Sequence, residues 1–456
     1  MSDARENRAE RDWRGDADGI YEELLQRLAE NQPQPRLDAT RRAVELLGDP
    51  HSAAPVVQVT GTNGKTSTSR MIESLLRATG LRTGLLTSPH LQRVTERIMI
   101  DGEPIDDEAF VRNAEDIRPY LLMTDAELVA NDQPPLSFFE ALTVLAFACF
   151  ADAPVDVAVL EVGMGGEWDA TNVADAQVAV FTPIDLDHTA RLGRTVEEIA
   201  RTKSGIIKPA ASVVTAIQRI EALDELRAAA AQNEAPVAIE RQDFALESTT
   251  VAVGGQLLEI RGRAGRHYRE VFLPLYGDHQ AQNAAVAVAA VETFLGGGSR
   301  PLDPAIVVDG LGAVTSPGRL QLIGVEPTVL VDAAHNPHGA RALAAALQEY
   351  FDFDELVLVI GILHDKDARG IVRELAPAAA RFHVTASTSD RAIPAAELDA
   401  IVAGETVEHA VFDAETEALD AARAWAAQSP RRAVVVTGSI TLVADAMRLA
   451  QSEGWK

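Results

Sequence analysis

Cysteine is nearly missing from this 456-residue chain: the single Cys149 excludes an internal disulfide. It lies in the apolar run LAFACF, where a buried structural thiol is the expected state. No apolar run reaches the roughly 18 residues needed to cross a bilayer. The first residues, MSDARENRAERDWRGDADG, are charged and carry no apolar stretch, so a solvated tail is expected there rather than a signal peptide. Basic charge is also in deficit. The net charge of −27 argues against nucleic acid as a partner, because backbone binding needs clustered Lys and Arg. It does not exclude a negatively charged small substrate, since a cleft can be locally positive on an acidic surface. Solvation is the plain reading of the excess Asp and Glu. A cytoplasmic, globular protein that touches no membrane fits these absences, and the length suffices for two domains with their own cores.

What is present is alternation. From residue 55 onward strand-like runs alternate with helix-like runs: VVQV, a helix through RMIESLLRAT, then TGLLT, followed later by VDVAVLEV, QVAVFTPI and SVVTAI. That rhythm predicts an α/β fold with a mainly parallel sheet flanked by helices. Residues 245–275 break it, where TTVAVGGQLLEI and HYREVFLPL read as an antiparallel element. GGGSRP (296–301) reads as a linker, and after it TVLVDAA, ELVLVIGIL, RFHVTAS and RAVVVTGS again alternate with helices. The expected division is a tail and helix over 1–34, a larger mainly parallel domain over 35–297, and a smaller doubly wound, Rossmann-like domain over 298–456.

The segment VTGTNGKTST (59–68) lies between a strand and a helix, the setting that makes a phosphate loop credible. Val59 stands where the common pattern has Gly. Gly61 and Gly64 let the backbone of Thr62 and Asn63 approach phosphate oxygens, and the helix starting near Lys65 points free N–H groups at them. Lys65 would neutralise phosphate charge, while Thr66 or Ser67 could reach Mg²⁺. The bland alternative is an ordinary βα turn. In LEVGMGG, Glu161 ends an apolar strand, where parallel sheets gather ligands. TPIDLDH places His188 beyond another strand end, and with Glu161 it suggests metal binding. Lys203, taken alone, reads as a solvated helix residue. VDAAHNPHG puts Asp332 at a strand end with His335 and Asn336 beyond it; helix capping by Asn336 is the alternative there. Arg319 in SPGRL is a candidate phosphate contact.

Taken together, GTNGKTS, TSPHL, LEVGMGGEWDATN, DLDHTARLG, EEIARTKSGIIK, SPGRLQ, DAAHNPHG and HDKD occur in the order of the Mur ligase superfamily. The chain resembles, within it, the dihydrofolate synthase/folylpolyglutamate synthase family from about residue 35 to its end. In that family the loop has the form GTNGK, so Val59 is its ordinary residue. The resemblance implies an ADP-forming ligase that adds L-glutamate to dihydropteroate, to (poly)glutamylated reduced folates, or to both, through an acyl phosphate. It implies that residues 61–67 hold ATP with Asn283, Arg319 and Asp332, and that Lys65 contacts phosphate. Ser88, Glu161 and His188 match Mg²⁺ ligands. Lys203 matches a lysine carried as a carbamate beside a second Mg²⁺, which replaces the solvated reading. His335 lies near the γ-phosphate by the same analogy, so two domains are expected to close on the nucleotide. A monovalent cation such as K⁺ is a further implied cofactor, and a monomer is the expected state.

For the pterin, the resemblance points to Ser137, Phe138, Phe139 and Glu140 and to Trp168, Asp169 and Ala170. Phe139 could stack on the ring or fill a core position at a helix start, and Asp169 could accept hydrogen bonds from the pterin edge. The chain departs from the family at Glu167, where Arg is usual, and in RTKSG, where EKAG is usual. PQPRLDATRR matches weakly and carries no assignment. Two rivals are another Mur-type amino-acid ligase and a nucleotide-binding module without chemistry. The first needs a nucleotide-sugar domain before the loop, and the second has no use for Glu161, His188 and Lys203 together.

Overall fold

The computed structural model describes residues 11–29 and 34–455; residues 1–10 of the expected solvated tail lie outside them, and its remainder is instead the start of a helix, Trp13–Leu25, held by burial of Ala17, Ile20 and Leu24. The chain forms two compact units. The first comprises residues up to 245 with 261–267 and 285–310; the second comprises 246–260, 268–284 and 311–456.

The first unit is built on an eight-stranded sheet. Its strands are β1 (Val56–Thr60), β2 (Thr83–Leu86), β3 (Ile98–Ile100), β4 (Glu103–Pro104), β5 (Val157–Glu161), β6 (Val178–Phe181), β7 (Ser212–Thr215) and β8 (Val237–Ile239). They lie in the order β4-β3-β2-β5-β1-β6-β7-β8. The pairs from β2 through β8 are parallel, and β3 and β4 add an antiparallel edge. β1 is buried along its whole length, as the continuous run VVQVT requires of a strand covered on both faces. Its register sets Val59 beside Glu161 and Thr60 beside Phe181, so the strand ends carrying the site residues are neighbours.

Helices cover both faces. One face packs against the helices Asp107–Ala130 and Phe138–Asp152 through Phe110, Ile117, Leu142 and Phe147, with Cys149 buried among them. The other packs against the helices Val196–Ser204 and Ile220–Gln232 through Ile199, Ala200 and Leu226. The divide expected after residue 297 falls instead after Gly310. The physical reason is close packing: Ser74 Oγ donates to Gly310 O at 2.7 Å, and a Cβ on Gly310 would stand 2.9 Å from Leu75 Cδ2.

The second unit holds a six-stranded sheet of β12 (Gln321–Val325), β13 (Thr328–Asp332), β14 (Glu355–Ile360), β15 (Arg381–Val384), β16 (Glu408–Val411) and β17 (Arg432–Thr437). Its order is β12-β13-β17-β14-β15-β16, parallel except for β12. The antiparallel element, β9 (Ala245–Ala252), β10 (Gly255–Arg261) and β11 (His267–Leu273), belongs mostly to this unit rather than to the first, where the sequence reading put it. Tyr350 ties it down, donating to Gln256 Oε1 at 3.1 Å. Among the described residues, no helix is long and apolar enough to cross a membrane.

Candidate active site

The loop after β1 is fixed by bonds to neighbouring strand ends. Thr60 Oγ1 donates to Gly165 O at 2.8 Å, Thr62 N donates to Pro183 O at 2.9 Å, and Thr62 Oγ1 donates to Asp185 O at 2.9 Å. At Gly61, φ is +152° and a Cβ would stand 1.9 Å from Thr182 Oγ1, so only glycine fits. Gly64, at φ +85°, precedes the helix Lys65–Ala78, which has no side-chain cap at its start. The N-terminal end of a helix carries the partial positive charge that favours an anion.

Two groups of side chains gather around this loop. In the first, Glu161 is buried, accepts from Thr66 Oγ1 at 2.7 Å and from Ser88 N at 3.2 Å, and so joins three of the residues expected at Mg²⁺. In the second, Lys65, Asp187, His188, Leu192 and Lys203 line one hollow with Gly61 and the loop 163–165. Lys65 Nζ folds back onto Gly61 O at 3.3 Å and Thr62 O at 3.2 Å. Lys203 Nζ donates to the same Gly61 O at 2.7 Å, with only 4 % of the residue exposed. Burial, with Lys65 nearby, pushes the Lys203 ammonium down to about 7, so near neutral pH much of it is free amine. A free amine is the form to which carbon dioxide adds. The solvated reading of Lys203 is thus excluded by its position.

His188 sits in the left-handed region at φ +49°, with its N–H donating to Asp187 Oδ1 at 2.8 Å and Nε2 lying 3.8 Å from Asp187 Oδ2. Among the described residues, no three or more of His, Cys, Asp and Glu form a metal cluster. That donor set suits Mg²⁺, which binds through one or two carboxylates, hydroxyls and substrate phosphates rather than through an all-protein cage.

The segments expected at the pterin divide into scaffold and surface. Ser137 and Glu140 form a capping box: Ser137 N donates to Glu140 Oε2 at 2.7 Å, and Glu140 N to Ser137 Oγ at 3.3 Å. Arg36 grips the same carboxylate at 3.0 and 3.1 Å and also donates to Pro134 O and Pro135 O. Phe138 is buried, edge-on to Tyr21 and 5.1 Å from the Arg97 guanidinium. Phe139 is partly buried and packs against the core, its ring edge so close to Gly163 that a Cβ there would lie 2.7 Å away. Asp169 is buried rather than displayed. Its oxygens accept from Met164 N at 2.9 Å, Thr171 N at 3.0 Å and Thr171 Oγ1 at 2.5 Å. Burial raises its carboxyl, and those bonds oppose the rise. Trp168 is half-buried near Gly165, Ala170 is buried, and Glu167 is exposed.

The remaining expected ATP contacts lie in the second unit. Asp332 is buried at the end of β13, accepting from Leu320 N and Ala334 N, both at 2.9 Å. Burial raises its carboxyl, and Arg319 partly offsets that. Asn283 donates to Gln280 Oε1 at 3.3 Å. His335 Nδ1 lies 2.9 Å from Ala333 O, and Asn336 caps the next helix through Gly339 N at 2.8 Å, as its capping alternative required. His279, buried with Arg319 and His338 nearby, is pushed down to about 4. Sequence reasoning missed His279, Arg36 and Asp187. The S-x-x-E pattern at 137–140 was a readable capping signal, and Asp187 stood one residue before His188.

Residues 59–291 match the Mur ligase middle domain, and residues 318–440 match the Mur ligase glutamate ligase domain. The chain is 44 % identical over 450 residues to a dihydrofolate synthase/folylpolyglutamate synthase of Mycobacterium tuberculosis, covering 93 % of this chain and 92 % of that one. It is 36 % identical over 423 residues to a folylpolyglutamate synthase of Lacticaseibacillus casei, covering 91 % and 95 %. Among solved structures, the fold is similar to M. tuberculosis folylpolyglutamate synthase complexed with ADP, with a TM-score of 0.92, 41 % identity and coverage of 96 % and 99 %. It is also similar to E. coli FolC in complex with DHPP and ADP, with a TM-score of 0.80, 30 % identity and coverage of 92 % and 94 %.

Proposed function

The chain belongs to the Mur ligases, within the dihydrofolate synthase/folylpolyglutamate synthase family, and from that premise we propose how its own residues join L-glutamate to a folate carboxylate. It is an ADP-forming ligase whose co-substrate is ATP. The acceptor is dihydropteroate, a (poly)glutamylated reduced folate, or both. The carboxylate takes the γ-phosphoryl group to become an acyl phosphate, the glutamate amine attacks its carbonyl carbon, and phosphate leaves.

The observation that supports this reading is the convergence of Lys65 and Lys203 on Gly61 O beside the Glu161–Thr66–Ser88 group. Phosphoryl transfer depends on positioning and charge neutralisation, and this loop offers both. Gly61, Thr62, Asn63 and Gly64 would wrap the phosphates, and Lys65 would leave the loop carbonyls to meet them. Glu161, Thr66 and Ser88 would hold one Mg²⁺; His188 and Lys203, carried as a carbamate, would hold a second. When bound, these ions would screen the charge of the transferring oxygens. Phe139 and the loop 163–169 would form the pterin surface, with Asp169 shaping that loop. Asn283, Arg319, Asp332 and His335 would complete nucleotide binding, and K⁺ remains an implied cofactor. A cytoplasmic monomer completes the proposal.

The test is phosphate release with Mg-ATP and L-glutamate, comparing dihydropteroate with tetrahydrofolate. Release with both assigns both steps; release with one assigns that step alone. Release with neither overturns the folate reading.

A further inference from the structure

Asp187 lines the hollow with Lys65 and Lys203, yet the chemistry proposed above gives it no task. Its side chain is 12 % exposed, held by the His188 N–H at 2.8 Å. Two lysines therefore share the hollow with one carboxylate, and with Lys203 as the free amine the Lys65 ammonium and the Asp187 carboxylate balance. On the reading of Lys203 as a carbamate, that balance turns negative. The Nζ lone pair forms a bond to the carbon of carbon dioxide, a C=O electron pair moves onto oxygen, and Nζ releases a proton to water. The neutral amine becomes one negative charge, and the carbamate then shares the hollow with the Asp187 carboxylate.

Two anions in a small hollow walled by Met164 and Leu192 repel more strongly than they would in water. Lys65 can balance only one of them. A divalent cation between them removes the repulsion and makes both its counter-charges. We propose that Asp187 is a positioning residue that makes carbamylation of Lys203 conditional on a divalent cation. Carbon dioxide and the cation then load together, each raising the other's occupancy by the same factor, because the coupling between two binding events is reciprocal.

The experiment uses the full chain, without ATP, in [¹³C]bicarbonate, and integrates the carbamate carbon by NMR. Lys203→Arg assigns the signal by removing it. The wild-type signal should rise at least about tenfold when Mg²⁺ is added, which is a coupling of about 1.4 kcal/mol. Asp187→Asn should show the signal without Mg²⁺ and respond less than about twofold. The reciprocal measurement needs no variant: bicarbonate should tighten Mn²⁺ binding to the wild-type protein by the same factor, read by electron paramagnetic resonance. A wild-type carbamate signal that ignores Mg²⁺, or an Asp187→Asn protein that keeps the wild-type response, overturns the role of Asp187. A complete absence of the signal in both proteins at every Mg²⁺ concentration overturns the carbamate reading itself.

Discussion

Replacing Lys203 by Met separates what the residue does for stability from what it does for ligation. The ammonium falls from 10.5 to about 7 in the fold, chiefly through burial. At about 1.4 kcal/mol per pH unit, that is about 5 kcal/mol against the charged form. The unfolded chain binds this proton between pH 7 and 10.5 while the fold does not, so stability should rise with pH across that window. Below pH 7 the full penalty applies. Lys203→Met removes the penalty but also the bond to Gly61 O, worth about 1 kcal/mol. In bicarbonate-free buffer at pH 6 the variant should therefore be more stable by about 3 kcal/mol, after allowing for partial hydration of the wild-type amine. The gain should vanish toward pH 10.5. Urea midpoints at several pH values test this, with ATP binding and phosphate release measured on the same protein. Ligation should be abolished while ATP affinity changes little. A variant that is less stable at pH 6 and keeps the wild-type pH dependence would refute the reasoning.

Three further substitutions probe other parts of the chain. Gly61→Ala forces a Cβ against Thr182 Oγ1 at φ +152° and should cost about 1–3 kcal/mol in a thermal melt, with ATP affinity falling in parallel. Arg36→Ala leaves Glu140 buried without its cation and should destabilise by about 3 kcal/mol; KM for the pteroate substrate should rise more than kcat falls. His279 stays neutral in the fold down to about 4, so acid should withdraw up to about 3 kcal/mol as pH falls from 6.5 toward 4. His279→Gln should flatten that part of the stability curve, and an unchanged curve would assign the acid sensitivity elsewhere.

Local patterns were the legible part of this sequence. The βα step at Val56–Ala78 announces itself because strand, glycines, lysine and helix are consecutive, and Glu161 stands out after an unbroken apolar strand. β3, β4, β8, β12 and β16 were not read. They span two to five residues and lie at or next to sheet edges, where short pairing leaves weak alternation. Distance along the chain hid the rest. Arg36 meets Glu140 from 104 residues away, and no spacing rule predicts that contact. Asp169 was identified as a site residue, but its carboxylate turns into its own loop, since Met164 N–H and Thr171 are closer donors than any surface ligand. The poly-Gly stretch near 297 suggested a boundary through composition alone, whereas the chain continues to pack as far as Gly310.

That last contact bears on how the protein is made. Leu75 and Ser74 emerge from the ribosome long before Gly310, so the first unit cannot acquire its final packing until the chain has already passed through β9, β10 and β11. Synthesis delivers most of one unit, a portion of the other, and only afterwards the segment that finishes the first. A gene fragment ended at the glycine-rich stretch would release a nascent chain in which the Ser74 hydroxyl has lost its acceptor Gly310 O and Leu75 its packing against Gly310, and such a chain is a natural client for chaperones.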